Sequence, residues 1–399
     1  MSIDGLSLSC LVNELNASLS GGRIERVFQN DAQSLLIRVR QTGRDFSLAI
    51  SINPLSPKIC LTENIPENPD TPPNFCMLLR KHLEDGRIAH VTQHSLDRIV
   101  IIAVDIRGAG GLIVTKELVI ELMGKHSNII LTAEDKIIDA IKKVGANTSR
   151  YRQVLPGRDY FYPPGQERVN LLTTSAQDFL AFLFNNLDPK KKNPLAKQLI
   201  SAAMGIGPFT AKEIAWRAGL DAEISAHELD GADKKALTEA IESIIEPLKE
   251  GAANAFVAFE ITDNLDTDDT SPKENPIVVS AFFLEHLPAK NYVLKNFASI
   301  NKALDFFSRN PSKPLLPNRD VLIKLITGEL AKQTRKKTAL TSELLAAENG
   351  GSFRQIADIL LSNLYNIPAK SAVVTLPDIY QATETVTIEL DPQLSPVAN

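Results

Sequence analysis

Cysteine is scarce and badly placed for chemistry. The three present, Cys10, Cys60 and Cys76, are odd in number and far apart, with no CxxC pair and no Cys/His spacing that suits zinc. That argues against a disulfide scaffold, a zinc finger or a cysteine nucleophile, and each thiol reads as a small buried apolar group. No metal and no cofactor is expected. Apolar runs stay short of the roughly 18–20 residues that a membrane span requires. The opening Met1-Ser2-Ile3-Asp4-Gly5 carries an acid where a secretory signal carries positive charge, and Ser18, Ser20 and Gly21 interrupt the stretch after it. A cytoplasmic protein is expected. Internal repeats and low-complexity tracts are also missing.

A basic excess is lacking too. The net charge of −5 argues against a chain that is cationic throughout. The average conceals an asymmetry, because residues 1–158 hold 19 Lys and Arg against 17 Asp and Glu, which leaves −7 on the rest. Any face for a polyanion must be local, and the first part of the chain is where to look for it.

What is present suits an ordinary globular protein: 399 residues, 44% hydrophobic and 23% charged. That length predicts about two to four domains. Leu8, Leu11, Val12, Leu15 and Leu19 recur at helical spacing and Gly21-Gly22 ends the run. Strands are expected at 23–29, 34–40, 46–52 and 58–61, a helix at 74–84 after Pro72-Pro73, then strands at 88–93, 97–106, 117–123 and 128–132. This order predicts an α+β fold with a largely antiparallel sheet over residues 1–172. Residues 173–249 read as a helical, helix-hairpin-helix domain. Residues 250–399 read as a small mixed α/β region: strands at 255–261, 277–284 and 292–297, an acidic loop at 263–276, then a helix at 319–348 that Gly350-Gly351 should stop. The apolar stripe of that helix lapses through residues 332–337, as at the start of a coiled coil awaiting a partner. A further helix with an apolar face from Phe353 to Leu364 should come next.

The chemistry starts at Met204-Gly205-Ile206-Gly207-Pro208, between two helical runs. Glycines let a backbone turn sharply and approach a ligand, and the second helix aims its N–H groups and positive dipole end at an anion. Gly205, Ile206, Gly207 and Lys212 are therefore candidates for gripping a nucleic-acid backbone, with Arg217 and Lys190-Lys191-Lys192 adding charge. An ordinary helix turn capped by its glycines gives the same letters. A second constellation interleaves Arg150, Tyr151, Arg152 and Arg158 with Tyr160, Phe161 and Tyr162. Guanidinium pairs with phosphate and aromatic faces stack on bases, which suits single-stranded or looped RNA. Tyrosines closing the sheet beside exposed arginines fit equally well.

Several longer strings carry a resemblance: Asp4-Gly5-Leu6; Phe75-Cys76-Met77-Leu78-Leu79-Arg80-Lys81-His82-Leu83; Leu96-Asp97-Arg98-Ile99; Glu121-Leu122-Met123-Gly124-Lys125-His126-Ser127-Asn128; Arg150-Tyr151-Arg152; Val154-Leu155-Pro156-Gly157; Asn363-Leu364-Tyr365; and Leu390-Asp391-Pro392. In this order they resemble the NFACT family, to which the bacterial RqcH proteins, also called fibronectin-binding protein A, and the eukaryotic NEMF proteins belong. The resemblance implies a ribosome-associated quality-control factor. It would bind a large ribosomal subunit, and so rRNA, still blocked by peptidyl-tRNA. It would bring tRNA-Ala there for template-free alanine tailing of the nascent chain. The bond would form at the ribosomal peptidyl-transferase centre, so no catalytic residue and no enzyme is implied.

The family's tRNA-contacting Asp-Arg pair falls on Asp97 and Arg98, which the residues alone present as a strand-end ion pair. Glu121, Met123, Gly124, Lys125 and His126 match the second tRNA-binding motif, although His126 also suits a structural histidine. Family members continue into a coiled-coil arm and a further C-terminal domain, so a shortened form is expected from a sequence that stops at Asn399.

Two rivals remain open. A surface adhesin for fibronectin would fit the older family name, but no export signal or wall anchor supports it. The first domain is also thought to resemble that of formamidopyrimidine-DNA glycosylases. Such an enzyme needs an N-terminal proline and a four-cysteine finger, where this sequence has Ser2, Ile3 and three scattered cysteines.

Overall fold

Asp4 starts the first helix, α1 (Gly5–Leu19), by accepting the Ser7 amide on Oδ1 at 2.9 Å. Leu8, Leu11, Val12, Leu15 and Leu19 are all buried, and so is Leu6 on the flank of that stripe. Full burial of each such side chain contributes about 1.5–3 kcal/mol, so one broad face of α1 is committed to the core. The helix ends where Gly21 takes a φ of 79°, a conformation that a side chain would oppose.

Around α1 the computed structural model places a nine-stranded sheet, antiparallel at each of its strand pairings. Its strands are β1 (Arg23–Asp31), β2 (Ser34–Gln41), β3 (Arg44–Ser51), β4 (Lys58–Leu61), β5 (Arg87–Gln93), β6 (Ile99–Arg107), β7 (Ile113–Glu121), β8 (Asn128–Ala133) and β9 (Lys136–Ala140). Their order is β4-β3-β2-β1-β5-β6-β7-β8-β9. Two meanders meet at β1 and β5 through the single register pair Arg23↔Arg87. Helix α2 (Asn74–Leu83) follows Pro73 and buries Phe75, Cys76, Leu79 and Leu83. The mixed α+β class with a large antiparallel sheet is as expected. Strand β9 has no counterpart among the expected strands, because its hairpin turns on Glu134 and Asp135 at φ 49° and 60° instead of an Asn-Gly signal.

The apolar run that opens β6 is buried on both faces. Val100, Ile102 and Val104 join the main core with α1, while Ile99 and Ile101 join a second cluster with Val119, Ile130, Ile137 and Val154. Asp97 and Arg98, expected inside this strand, precede it.

The helical stretch holds α3 (Ala176–Asn185), α4 (Leu195–Ala202), α5 (Pro208–Arg217) and α6 (Gly231–Lys249). A three-stranded sheet comes next, β11-β10-β12, made of β10 (Ala255–Thr262), β11 (Lys273–Ser280) and β12 (Tyr292–Phe297), then α7 (Ile300–Arg309). Strand β11 starts earlier than the expected 277 and ends at Ser280, whose hydroxyl turns to the Phe282 carbonyl at 2.7 Å. This sheet and α7 are laced to the first segment. Glu14 of α1 accepts the Ile300 and Asn301 amides at 2.8 and 2.9 Å, Asn301 pairs with the Leu61 backbone, and the Ala281 amide donates to Ser7 Oγ at 3.1 Å. The chain accordingly divides into two compact units, Met1–Lys313 and Pro314–Asn399, so the segment 250–399 read as one region belongs to both.

The second unit holds α8 (Arg319–Ser362) and the hairpin β13 (Val373–Pro377) with β14 (Thr385–Glu389). Ile359, Leu360, Ile367, Val374, Leu376 and Ile388 form its own small core. The two helices expected around Gly350-Gly351 are one, because glycine in a helix interior costs about 1 kcal/mol without compelling a stop. Among the described residues, no helix is long and apolar enough to cross a membrane. The structure describes all residues but 1–2, 55–56, 148, 150–151, 164–166, 189, 191, 263–272, 289–291, 311–318 and 382–383. Arg150, Tyr151, Lys191 and most of the acidic loop at 263–276 lie outside these.

Candidate nucleic-acid interface

The glycine hairpin has the expected helices, α4 and α5, but its glycines face inward. Gly205 (φ 76°) passes its carbonyl to the Leu6 amide at 3.1 Å, and a Cβ there would stand 2.8 Å from that of Leu96. Gly5 is closer still, since a Cβ would meet the Leu96 oxygen at 2.0 Å and the Gly205 Cα at 2.5 Å. Three backbones therefore cross where only hydrogen fits. Ile206 is buried. The N-terminus of α5 also has its anion already. Asp4 Oδ2 accepts the Gly207 amide at 3.4 Å and the Thr210 hydroxyl at 2.5 Å. One carboxylate thus faces the N-termini of two helices, α1 and α5, where the partial positive charge of each favours it. The position read as a phosphate site at Gly205 to Gly207 holds Asp4 instead.

Lys212 is exposed one turn further on. Arg217 is committed elsewhere. It donates to Glu213 at 2.7 Å, to Ser243 at 3.1 Å and to the Phe283 carbonyl at 2.9 Å. Glu213 is fully buried and also accepts from His286 Nδ1 at 2.7 Å. Burial pushes its pKa up, but the His286 and Arg217 hydrogen bonds outweigh burial and hold it below the usual carboxylate range.

Asp97 and Arg98 occupy the turn between β5 and β6. The Asp97 amide donates to the His94 carbonyl at 3.0 Å, and Gln93 Nε2 bridges the Asp97 carbonyl at 2.8 Å and the Gly5 carbonyl at 3.0 Å. The pair is therefore fixed to the start of α1 and, through Gly5, to the hairpin. Burial lowers the pKa of the Arg98 guanidinium, Asp4 and Asp97 oppose that, and Arg168 adds to it. A guanidinium remains charged under any such shift. The result is a partly desolvated cation within electrostatic reach of two carboxylates and of a second cation.

The Glu121 to Asn128 motif divides by role. The Leu122 amide donates to the Arg98 carbonyl at 2.8 Å, which places this motif directly beside Asp97 and Arg98. Glu121 itself is only 2% exposed. It takes both terminal nitrogens of Arg152, at 3.1 and 2.5 Å, and the Tyr160 hydroxyl at 2.9 Å. Ser127 Oγ accepts the Met123 amide at 2.8 Å, and Asn128 is tied to the Lys142 backbone at 2.9 and 3.1 Å. These bonds brace a single turn, Gly124–His126, in which Gly124 takes a φ of 58° and Lys125 and His126 are exposed to solvent. Arg152 is thus spent inside the protein, while Arg158 is exposed.

A cavity of about 820 Å³ lies where these pieces meet, with Asp97, Arg98, Met123 and His126 on one wall and Gly205, Ile206 and Gly207 on another. Asp4, Ser7, Arg168, Thr210 and Ser280 complete its polar lining. Glu121, Gly124, Lys125, Lys212, Arg152 and Arg158 are not among its lining residues. The sequence offers Asp4 only as part of a motif, although an Asp just before a helix is a capping signal. Nothing in the sequence singles out Thr210 or Arg168.

Fold and site together define an α+β protein in which a helical hairpin is docked against the loops of a large antiparallel sheet, around a cavity of mixed polar and apolar lining. The chain belongs to the NFACT family, matching the NFACT N-terminal and middle domains over residues 4–399. It is 31% identical over 404 residues to the Rqc2 homolog RqcH of Bacillus subtilis (strain 168), covering 100% of this chain and 65% of that protein. The chain therefore spans a little less than two thirds of that relative's length. It is 25% identical over 319 residues to the ribosome quality control complex subunit NEMF of Homo sapiens, covering 76% of this chain and 27% of that protein. Among solved structures, the N-terminal part of the fibronectin/fibrinogen-binding protein from Streptococcus suis is similar, with a TM-score of 0.59 and 27% identity, covering 77% of this chain and 99% of that one.

Proposed function

We propose that this protein is a cytoplasmic ribosome-associated quality-control factor that binds large ribosomal subunits carrying peptidyl-tRNA and recruits tRNA-Ala for template-free C-terminal alanine tailing. In this reading the ribosomal peptidyl-transferase centre forms the bond, and the protein is not an enzyme. The names of the Bacillus and human relatives support the quality-control role. The observation that carries the tRNA reading is the 2.8 Å bond from the Leu122 amide to the Arg98 carbonyl. It sets a partly buried guanidinium and its carboxylate partner beside an exposed Lys-His turn, a mixture suited to phosphate and base edges of RNA. Asp97, Arg98, Met123, Lys125 and His126 would meet tRNA, with Glu121 and Gly124 holding them in place. Lys212, Arg158 and the lysines near residue 190 would serve the rRNA backbone. Gly205, Ile206 and Gly207 would act by locking the hairpin to the Asp97 turn.

Sequencing of RNA that co-purifies with the protein tests this. tRNA-Ala should be enriched with the native protein and absent after Asp97→Ala with Arg98→Ala, with the melting curve of the variant kept as a control on folding. Equal tRNA-Ala recovery from a folded variant would overturn the reading. The Streptococcus suis neighbour's name supports a second reading, a fibronectin-binding adhesin. Fractionation separates the two, since an adhesin must be found mainly at the cell surface.

A further inference from the structure

We propose that His94 and Tyr162 form a stacking platform for one unpaired nucleobase at the rim of the cavity, an inference that rests on the RNA-binding reading above. Their rings lie face to face, with centroids 3.6 Å apart and planes 9° from parallel. Tyr160 meets Tyr162 edge to face at 5.2 Å and 81°, and the Arg152 guanidinium carbon stands 5.0 Å from the Tyr160 ring centre. Arg152, Tyr160, Tyr162 and His94 thus form one row of π groups. Its inner end is closed, because Arg152 is bound to buried Glu121.

The outer end is different. Among the described residues, neither the His94 ring nor the Tyr162 hydroxyl makes a side-chain hydrogen bond, whereas Tyr160 spends its hydroxyl on Glu121. Tyr162 is 37% exposed and His94 is half-buried. A ring pair needed only to close the sheet would repeat the Tyr160 arrangement. This pair instead leaves polar atoms and ring surface to the solvent.

Both rings are fixed in place beforehand. The His94 amide donates to the Ile99 carbonyl and its carbonyl accepts from the Asp97 amide, each at 3.0 Å, in a turn that Ser95 closes at a φ of 50°. The turn that presents Asp97 and Arg98 therefore also presents His94. On the other side, residues leading to Tyr162 run along β9, with Tyr160 N to Asp135 O at 2.6 Å and Ile137 N to Arg158 O at 2.8 Å. Pro163, next in the chain, lines the cavity. Little ordering is left for binding to oppose.

A base continues such a row by laying its face on the outer ring. Stacking of this kind tolerates any base, because every base has a π face. It excludes bases inside a duplex, whose faces are covered by their neighbours. The ligand feature is thus a base in a loop, a bulge or a free end.

The test uses tRNA-Ala transcripts carrying a fluorescent adenine analogue, placed in turn in each unpaired region and in a stem. The native protein should quench the analogue at one unpaired position and leave the stem position unchanged. His94→Ala and Tyr162→Ala should each abolish that quenching and weaken binding by roughly ten-fold, while His94→Phe should restore both. Binding with no quenching at any unpaired position, or quenching unchanged in folded His94→Ala, would overturn the platform and leave the RNA-binding reading standing. Failure of the native protein to bind the transcripts at all would overturn both.

Discussion

Thr210 donates its hydroxyl to Asp4 Oδ2 at 2.5 Å across 206 positions of sequence. Through that contact the start of the chain closes the N-terminus of α5, while the same carboxylate caps α1 through Ser7. The cavity exists because these two helix ends converge on one acid, with the Asp97 turn between them.

Asp4→Ala should therefore destabilise more than loss of an ordinary cap. Each cap is worth about 1 kcal/mol, so a loss of about 2 kcal/mol is expected in urea denaturation. Thr210→Val should cost about 1 kcal/mol. The double variant should fall short of the sum, since both remove one contact. Strict additivity would show that the bond joining the hairpin to Asp4 contributes nothing.

Glycine positions in the site separate crowding from conformation. Gly5→Ala drives a Cβ to 2.0 Å from the Leu96 oxygen, and backbone is on both sides of it. It should lower Tm steeply and loosen the hairpin, with protection of the α5 amides from hydrogen exchange reduced. Gly124→Ala meets no atom within 4 Å and carries only the strain of φ 58°, about 1 kcal/mol. Similar losses for the two would mean that the three-backbone crossing is less tight than the distances say.

Much of this is legible in the sequence, and the misread parts of the site share a cause. The leucine stripe of α1, the short strands and the two runs beside Gly205 and Gly207 are local patterns, and local patterns of period 3.6 or 2 reveal an element and its buried face. The motifs around Asp97 and Glu121 come from resemblance, and the structure brings both to one wall. Three of the expectations that fail bear on this. The α5 N-terminus reads as vacant because Asp4 lies 206 positions away. Glu121 and Arg152 read as separate charges, yet they face each other under the sheet. Gly350-Gly351 reads as a stop, and α8 runs through it. In the first two the deciding partner is remote in sequence, so no window of neighbouring residues contains it.

Glu213 gives the protein an acid-sensitive joint between α5 and the segment after β11. Its pKa in the folded state lies below the usual value, despite burial, because His286 and Arg217 hold the carboxylate. A depressed carboxylate contributes stability that is present above its unfolded pKa and is lost as pH falls through its folded value. Urea midpoints of the native protein should therefore decline as pH falls toward the unfolded pKa of about 4.3 and below. Glu213→Gln should be less stable at neutral pH and should flatten that decline. An equal pH slope in the variant would assign the acid sensitivity to other carboxylates.

The Glu121 motif should split experimentally as it does structurally. Glu121→Gln leaves the Arg152 guanidinium buried without its counter-charge, a kind of change that costs about 3–5 kcal/mol. Tyr160, which donates to the same carboxylate, should become more mobile. Lys125→Ala and His126→Ala alter exposed side chains on the braced turn and should change stability by no more than about 0.5 kcal/mol. Their effect should appear in RNA binding. A lysine that neutralises one phosphate releases about one counterion, so Lys125→Ala should reduce the slope of log affinity against log salt by about 1. Titrations of tRNA-Ala at several salt concentrations, with melting curves alongside, measure both quantities. A turn used only for folding would give the opposite pattern, with Lys125→Ala lowering the melting temperature and leaving the salt slope untouched.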